Sequence, residues 1–312
     1  MPTSVVLGGA GFIGSHLCKY LLDIGHEVFV FDNLISGDIA NLDRIRSDRL
    51  RFIKQDVTEH LYIVKEIDYV LNLASLASPL EYFKFPIQTL KVSAMGTHKA
   101  LGLSFAKNAR FLLVSTSEVY GDPLESPQHE DYHGNVDQLS KRGVQDEARR
   151  FAEALTMSYH RYHGVDTRIA RIYNTYGPYM KLNDGRAVST FLLQALKNEP
   201  ITVYGDGTQR RTFCFVTDIV EGIYKLLKSD VVEPVNIGNP EVYAVQELAE
   251  KIIILTNSKS KIVYSPRPVD DPNVRHPDIS RAKKLLDWEP KIVLEDGLKL
   301  TIEWFKKEVL TK

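Results

Sequence analysis

Three glycines follow the first apolar run of the chain at a spacing that could cradle a phosphate. The segment GGAGFIG at 8–14 has the form G-x-x-G-x-x-G and lies between a predicted strand and a predicted helix. Glycines allow a tight turn there, and they let the backbone approach a pyrophosphate at the helix N-terminus. A tight strand–helix turn without a ligand is the simpler alternative.

An acidic residue ends the second predicted strand. Asp32 lies 18 residues after Gly14, near the ~20-residue spacing of dinucleotide-binding folds. A carboxylate there accepts hydrogen bonds from a ribose 2′-hydroxyl and repels a 2′-phosphate, so we predict NAD rather than NADP as the cofactor. Asp56 and Val57, after the third predicted strand, are expected to reach the adenine, with a capped turn as the alternative. The cofactor contacts predicted so far are Gly8, Gly11, Phe12, Ile13, Gly14, Asp32, Asn33, Asp56, Val57, Leu73, Ala74 and Ser75.

Short apolar runs alternate with helical patterns through the first half of the chain. Because the runs are continuous rather than alternating, they predict strands covered on both faces. Their alternation with helices predicts an α/β fold with a doubly wound parallel Rossmann sheet. The predicted strands are 3–8, 27–32, 50–56, 68–74, 110–116 and 167–173, and the predicted helices are 12–24, 39–47, 87–107 and 143–163.

The second half is less regular. Thr217 is a predicted helix N-cap, and the proline-rich segment SPRPVDDPNVRHPD at 265–278 is a predicted binding loop. We predict an NAD-binding Rossmann domain at 1–174, with part of 213–240 packing back on it. A smaller C-terminal α/β domain at 175–312 is predicted to bind the substrate.

Composition and charge exclude several classes of function. The formal net charge of −1 provides no global field for nucleic acid or anionic membranes. Only Cys18 and Cys214 are cysteines, which suits a reducing compartment. Without a signal-peptide pattern or a run of ~20 apolar residues, the chain is expected to be soluble and cytoplasmic. His160 and His163 lack further ligands at a suitable spacing, so we predict no metal.

Several longer motifs identify a resemblance to a family. GGAGFIGSHL at 8–17, STSEVYGDP at 115–123, LNDGRAV at 182–188, TVYGDGTQRRTF at 202–213 and DDPNVRHPDI at 270–279 are similar to extended short-chain dehydrogenases/reductases acting on nucleotide sugars. Within them the chain most resembles UDP-glucuronate decarboxylases (UDP-xylose synthases), over nearly its whole length. Ser117-Glu118 stands where the related 4,6-dehydratases typically carry an Asp-Glu pair. The resemblance implies NAD-dependent oxidation at sugar C4, loss of CO₂ and re-reduction.

The catalytic pair that the resemblance implies is replaced in this chain. Matching GNV at 134–136 and DEARRFAEA at 146–154 places the family's tyrosine base at Gln145 and its lysine at Arg149. A glutamine amide has no useful proton equilibrium near neutral pH. Arg149 keeps a positive charge, so a contact with the cofactor ribose could survive. Loss of a positioned general base typically costs ~10²–10⁴-fold in rate.

Other residues could be considered for the missing base. Glu118 and Thr116 match family active-site positions, and Glu118 with a raised pKa could take the C4 proton. A structural carboxylate bonded to backbone amides is the alternative. The one Tyr-x-x-x-Lys in the chain, Tyr224 to Lys228, is interpreted as a packing tyrosine and a solvated lysine.

The substrate-binding motifs match the family better than the catalytic pair does. Arg211 and Arg275 match arginines that hold the diphosphate, which suits forked guanidinium donors; surface ion pairing is the alternative for each. The remaining implied substrate contacts are Tyr82, Asn174, Asn183, Arg186 and Tyr204. Ser93 and Tyr179 depart from the family, where we expect asparagine and arginine.

Three interpretations of function follow from this mixture. The first is a UDP-glucuronate decarboxylase-like enzyme with reduced activity. The second is a degenerate homologue that binds NAD and a UDP-sugar without much chemistry, and the third is a UDP-sugar epimerase or dehydratase. The family pairs helices 87–107 and 143–163 across a two-fold axis, so the resemblance implies a homodimer. Coverage of the sheet by these helices is the alternative.

Overall fold

A seven-stranded parallel sheet forms the centre of the computed structural model, which describes residues 1–267, 272 and 274–310. The strand order is β11-β6-β5-β4-β1-β2-β3, so β1 lies between β4 and β2. The order reverses at β1, and in such sheets the crevice beyond the carboxyl ends of the strands binds the ligand. The strands are β1 Thr3–Leu7, β2 Glu27–Asp32, β3 Leu50–Lys54, β4 Tyr69–Asn72, β5 Arg110–Thr116, β6 Thr167–Ile172 and β11 Val235–Ile237.

Helices cover both faces of this sheet, which explains why its strands are continuous apolar runs. All five residues of β1 are buried. One apolar core joins α1 and α8 to one sheet face, and a second joins α5 and α6 to the other. The helices are α1 Phe12–Asp23, α2 Ile39–Asp43, α3 Pro79–Lys84, α4 Pro86–Lys91, α5 Thr97–Lys107, α6 Gly143–His163, α7 Ala187–Leu196, α8 Val216–Lys228, α9 Val245–Thr256, α10 Ser280–Leu286 and α11 Leu294–Leu310.

The second half adds a third apolar core, which is formed mainly by α7, α9 and α11. Two elements of the second half, α8 and β11, pack on the first half of the chain. Helix α8 covers the main sheet, and β11 pairs with β6. The division into domains at residue 174 stays a prediction. The remaining strands form three two-stranded sheets, β7 Thr175–Tyr176 with β10 Cys214–Phe215, β8 Ile201–Tyr204 with β13 Ile262–Ser265, and β9 Arg210–Thr212 with β12 Val242–Ala244.

Two local predictions are wrong. The helix predicted at 87–107 is divided into α4, a π-helical turn at Val92–Gly96 and α5. Thr217 is not an N-cap, because β10 leads directly into α8 and the chain turns at Phe215, whose backbone is extended. In the described part of the chain, no helix has both the length and the apolar character needed to cross a membrane.

Candidate active site

A cavity of about 800 Å³ opens at the carboxyl ends of the central strands. Its lining comes from residues after β1, β2, β4, β5 and β6, from the segment around 179–191 and from parts of β8 and β9. Of the ligand contacts predicted from sequence, only Arg275 is outside this lining. The predicted residues that line the cavity are Gly8, Gly11, Phe12, Ile13, Gly14, Asp32, Asn33, Asp56, Val57, Leu73, Ala74, Ser75, Tyr82, Thr116, Glu118, Gln145, Arg149, Asn174, Asn183, Arg186, Tyr204 and Arg211.

The glycine loop lies where β1 meets α1. Gly8 has a φ of +79°, and a Cβ at this position would stand 2.9 Å from the Cα of Ala74. A Cβ at Gly14 would stand 2.2 Å from the carbonyl oxygen of Gly8. A side chain at Gly8 would therefore collide with the backbone after β4, and one at Gly14 with the turn itself. The loop brings backbone amides and the α1 N-terminus to the cavity, an arrangement suited to a pyrophosphate.

Asp32 lies at the end of β2, beside the loop. Its carboxylate accepts hydrogen bonds from the backbone amides of Leu34 at 2.8 Å and Ala10 at 3.1 Å. Burial raises the pKa of Asp32, and those hydrogen bonds oppose the increase. Asn33 donates to Asp56 at 3.0 Å, which links the ends of β2 and β3. These contacts fix the carboxylate at the cavity wall.

Gln145 and Arg149 lie one turn apart on α6 and line the same part of the cavity. Their exposed fractions are 2% and 3%. Arg149 donates from Nη2 to the carbonyl of Ala74 at 3.3 Å, whereas its Nη1 and the Oε1 of Gln145 have no partner among the described residues. Burial lowers the pKa of Arg149 to about 10, against the attraction of Glu153. The pair thus presents a cation and a neutral amide, and neither group is a base at neutral pH.

Glu118 follows β5 and is held by two arginines. Its Oε2 accepts from Arg142 and from Arg275, the latter at 2.9 Å. Burial alone would disfavour the carboxylate, but the charges of Arg142 and Arg275 lower the pKa of Glu118 to about 2. The expectation of a raised pKa, which would allow Glu118 to replace the missing base, is therefore wrong. A carboxylate held between two cations is a weak base.

Arg275 is buried beside Glu118. Its side chain is 2% exposed and donates to the hydroxyl of Ser117 at 3.1 Å as well as to Glu118. It lies behind Glu118 and does not line the cavity. The direct contact of Arg275 with a diphosphate stays a prediction, and in the described structure this side chain binds Ser117 and Glu118. The motif DDPNVRHPDI lies partly outside the described residues, at 270, 271 and 273.

Arg211 remains at the cavity, and its guanidinium also donates to the carbonyl of Pro272 at 2.6 Å. Arg186 lies at the start of α7, with its Nε 3.5 Å from Asp184. Tyr204 is half exposed at the end of β8, and Tyr82 is buried beside Glu118. The structure thus brings Arg211, Arg186, Tyr204 and Tyr82 to the same cavity as the glycine loop.

Sequence reasoning missed three charged features of this site. Arg142 lines the cavity beside Glu118, and Asp146 lies directly behind that carboxylate. Lys181 forms a 2.7 Å ion pair with Glu81 between the 179–186 segment and α3. In the sequence, Arg142 and Asp146 are simply charged residues on either side of the start of α6. Such residues are equally common at the solvated end of a helix, so they did not indicate an active site.

Unpartnered polar atoms concentrate at the cavity. Of the eleven buried side-chain atoms without a hydrogen-bond partner in the described part of the chain, six belong to residues that line it. Buried polar groups are normally satisfied, so such a concentration indicates a polar ligand. The chemistry of the cavity, with a glycine loop and a carboxylate at the ribose position, fits a dinucleotide. The six residues are Ser75, Ser78, Arg142, Gln145, Arg149 and Tyr173.

Tyr224 and Lys228 are outside the cavity, on α8. Tyr224 packs on Tyr20, and Lys228 donates to the hydroxyl of Tyr69 at 2.7 Å. These contacts agree with a packing tyrosine, and Lys228 is exposed, as expected for a solvated lysine. Within the described ranges, no group of three or more His, Cys, Asp or Glu residues is arranged to hold a metal ion.

The two other departures from the family have different surroundings. Ser93 is buried in the π-helical turn, and its hydroxyl has no partner in the described structure. Tyr179, at a φ of +71°, lines the cavity and stacks on His16 with the ring centroids 4.7 Å apart.

Comparison with known proteins extends these observations over the whole chain. Residues 5–301 match the model of the GDP-mannose 4,6 dehydratase family. UDP-glucuronic acid decarboxylase 1 of Arabidopsis thaliana is 48% identical over 309 residues, which cover 99% of this chain and 71% of that protein. The UDP-glucose 4-epimerase of Thermotoga maritima, solved with UDP-glucose, superposes with a TM-score of 0.91 at 29% identity, covering 98% of this chain and 99% of that one. The UDP-glucuronic acid 4-epimerase of Bacillus cereus, solved with UDP-glucuronic acid and NAD, gives a TM-score of 0.86 at 26% identity, covering 98% and 99%.

Proposed function

The chain belongs to the UDP-glucuronic acid decarboxylase family of extended short-chain dehydrogenases/reductases, and from this we propose that it binds NAD and a UDP-sugar acid and decarboxylates the sugar slowly. The observation that supports this best is the single cavity that joins the glycine loop to Arg186 and Arg211. Its lining thus holds groups suited to both ligands, a dinucleotide and a diphospho-sugar.

The residues divide the work as follows. The 8–14 loop would hold the pyrophosphate, Asp32 the adenosine ribose, and Arg149 the ribose near the reacting sugar. When bound, NAD supplies hydride acceptance and return at sugar C4. On the substrate side, Asn174, Asn183, Arg186, Tyr204 and Arg211 would bind the nucleotide and diphosphate, and Tyr82 and Thr116 would contact the sugar.

The slow rate follows from Gln145. Its amide can hydrogen-bond a sugar hydroxyl but cannot take the proton, and Glu118 is held as a weak base by Arg142 and Arg275. A protein that binds both ligands without turnover is the second candidate, and the unpartnered Oε1 of Gln145 at the cavity favours it. Epimerisation is a third outcome to be tested, because both superposed structures named above are epimerases.

We also propose a homodimer in the cytoplasm. Large apolar side chains remain exposed on α5 and α6, among them Phe105 at 57% and Phe151 at 51%, which supports a helix-to-helix interface between two copies. Both cysteines are buried and unpaired, which suits a reducing compartment.

One experiment distinguishes the three candidate functions, which are decarboxylation, epimerisation and binding without turnover. The purified protein is saturated with NAD and incubated with UDP-glucuronate carrying a ¹³C-labelled carboxyl group, and the products are followed by NMR. We expect labelled CO₂ and UDP-xylose at a low rate. UDP-galacturonate with retained label would instead identify an epimerase, and calorimetric binding of the substrate without any product would identify the binding homologue. Failure of both NAD and UDP-glucuronate to bind would contradict the proposal.

A further inference from the structure

Two carboxyl groups meet beside the cavity, and only one of them faces it. Glu118 lines the cavity, whereas Asp146 lies behind it, outside the lining and 4% exposed. The carboxyl groups of Glu118 and Asp146 lie close enough to share a hydrogen bond. A hydrogen bond between two carboxyl groups needs a proton on one of them, because an ionised carboxylate only accepts.

The surrounding charges decide which group holds that proton. Arg142 and Arg275 both donate to Glu118. Oδ1 of Asp146 has no partner among the described residues, and the charges of Arg142 and Arg275 offset the increase in its pKa only in part. Burial and the neighbouring Glu118 charge raise the pKa of Asp146 to about 8. Tyr82 is the remaining titratable group of the cluster, and burial raises its pKa to about 12, so it stays neutral.

We propose that Asp146 is the proton-holding partner of Glu118, so that an anionic sugar binds at this end of the cavity together with a proton. This inference rests on the proposed function only in taking a sugar acid as the ligand. Asp146 is a positioning residue here, since it lies outside the cavity lining and acts through Glu118.

The net charge of the cluster explains why sugar binding and proton uptake are coupled. With Asp146 neutral, the cluster of Arg142, Arg275 and Glu118 carries one net positive charge, which complements one ligand carboxylate. With Asp146 ionised, the net charge of the four groups is zero. A ligand carboxylate therefore binds better to the protonated form, and by linkage its binding favours uptake of a proton.

Calorimetry on the NAD-loaded protein tests the coupling. Binding heats at pH 8 are measured in two buffers of different ionisation enthalpy, with UDP-glucuronate and with UDP-xylose, which lacks the carboxylate. We expect an uptake approaching roughly half a proton per site with UDP-glucuronate, because about half of Asp146 is ionised at that pH, and none with UDP-xylose. Uptake should disappear in Asp146→Asn. Equal uptake with both sugars, or uptake that persists in the variant, would overturn the inference.

A ligand-free measurement separates this inference from the proposed function. Infrared difference spectra of the wild type against Asp146→Asn should show a protonated carboxyl band at pH 6 that disappears with a midpoint near 8. Asp43→Asn, an exposed carboxyl outside the cavity, is the matched control and should remove no such band. A missing band at pH 6 would overturn the inference. If neither sugar nucleotide binds, the proposed function fails, and the band alone then decides the role of Asp146.

Discussion

Gln145 and Arg149 lie one helical turn apart on α6, and each has a buried polar atom at the cavity without a partner in the described structure. Since buried polar groups are costly when unsatisfied, these two atoms are suited to receive a ligand.

Restoring the phenol and the amine should accelerate the reaction. We expect Gln145→Tyr with Arg149→Lys to raise the rate of CO₂ release by ~10²–10⁴-fold, because a positioned general base contributes about that much. Tyr224→Phe, in the one Tyr-x-x-x-Lys outside the cavity, is the control and should leave the rate unchanged. A double variant no faster than the wild type would show that Gln145 does not limit the chemistry.

Closing the glycine turn should remove cofactor binding. A Cβ at Gly14 would stand 2.2 Å from the Gly8 carbonyl oxygen, so Gly14→Ala must distort the loop. We expect NAD affinity to fall at least tenfold, by ~1.4 kcal/mol or more, as measured by calorimetry. Gly102→Ala adds a Cβ with no atom within 4 Å and should bind NAD normally. Normal binding by Gly14→Ala would remove the loop from the cofactor site.

Removing the Glu118 carboxylate should destabilise the fold as well as the site. Glu118→Ala leaves Arg142 and the buried Arg275 without their shared acceptor. We expect a loss of roughly 1.5–3 kcal/mol in the free energy of unfolding, the range for hydrogen bonds to charged groups, measured by urea denaturation. Glu303→Gln, on the exposed side of α11, should change stability little. An unaffected Glu118→Ala would mean that solvent replaces the carboxylate at no cost.

Asp146 should make stability depend on pH. Its pKa rises from 3.8 to about 8 in the folded chain, so between these values the folded state binds a proton that the unfolded state has released. The contribution is fully present below pH 3.8 and is lost as the pH rises through 8, with a slope of at most about 1.4 kcal/mol per pH unit. The free energy of unfolding is measured by urea denaturation from pH 5 to 9. In Asp146→Asn, the part of its decrease with pH that Asp146 causes should be absent. Identical slopes in both proteins would contradict the buried proton.

The exposed apolar face of α5 and α6 should hold the dimer. We expect the wild type to sediment as a dimer and Phe105→Asp with Phe151→Asp to weaken association by at least ~100-fold, because charges would replace two large apolar contacts. Tyr62→Asp, also at a highly exposed aromatic position, should remain dimeric. A monomeric wild type would contradict the dimer, and α5 and α6 would then only cover the sheet.

Local patterns in the sequence predicted much of this protein. Continuous apolar runs predicted β1, β2, β5 and β6 to within one residue at either end, because strands buried on both faces need apolar side chains at every position. The glycine spacing and Asp32 predicted one end of the cavity. The four-residue separation of Gln145 and Arg149 already placed them on one face of a helix.

The tertiary structure decided how the charges pair and titrate. Arg275 is 157 residues from Glu118 in the chain, and no periodicity predicts that it returns to that carboxylate. The same is true of Asp146, whose charged neighbours Glu118, Arg142 and Arg275 come from the turn after β5, the start of α6 and the 274–279 segment. Strands and helices follow from the order of neighbouring residues, whereas a pKa depends on burial and on which distant charges the fold brings within a few ångströms.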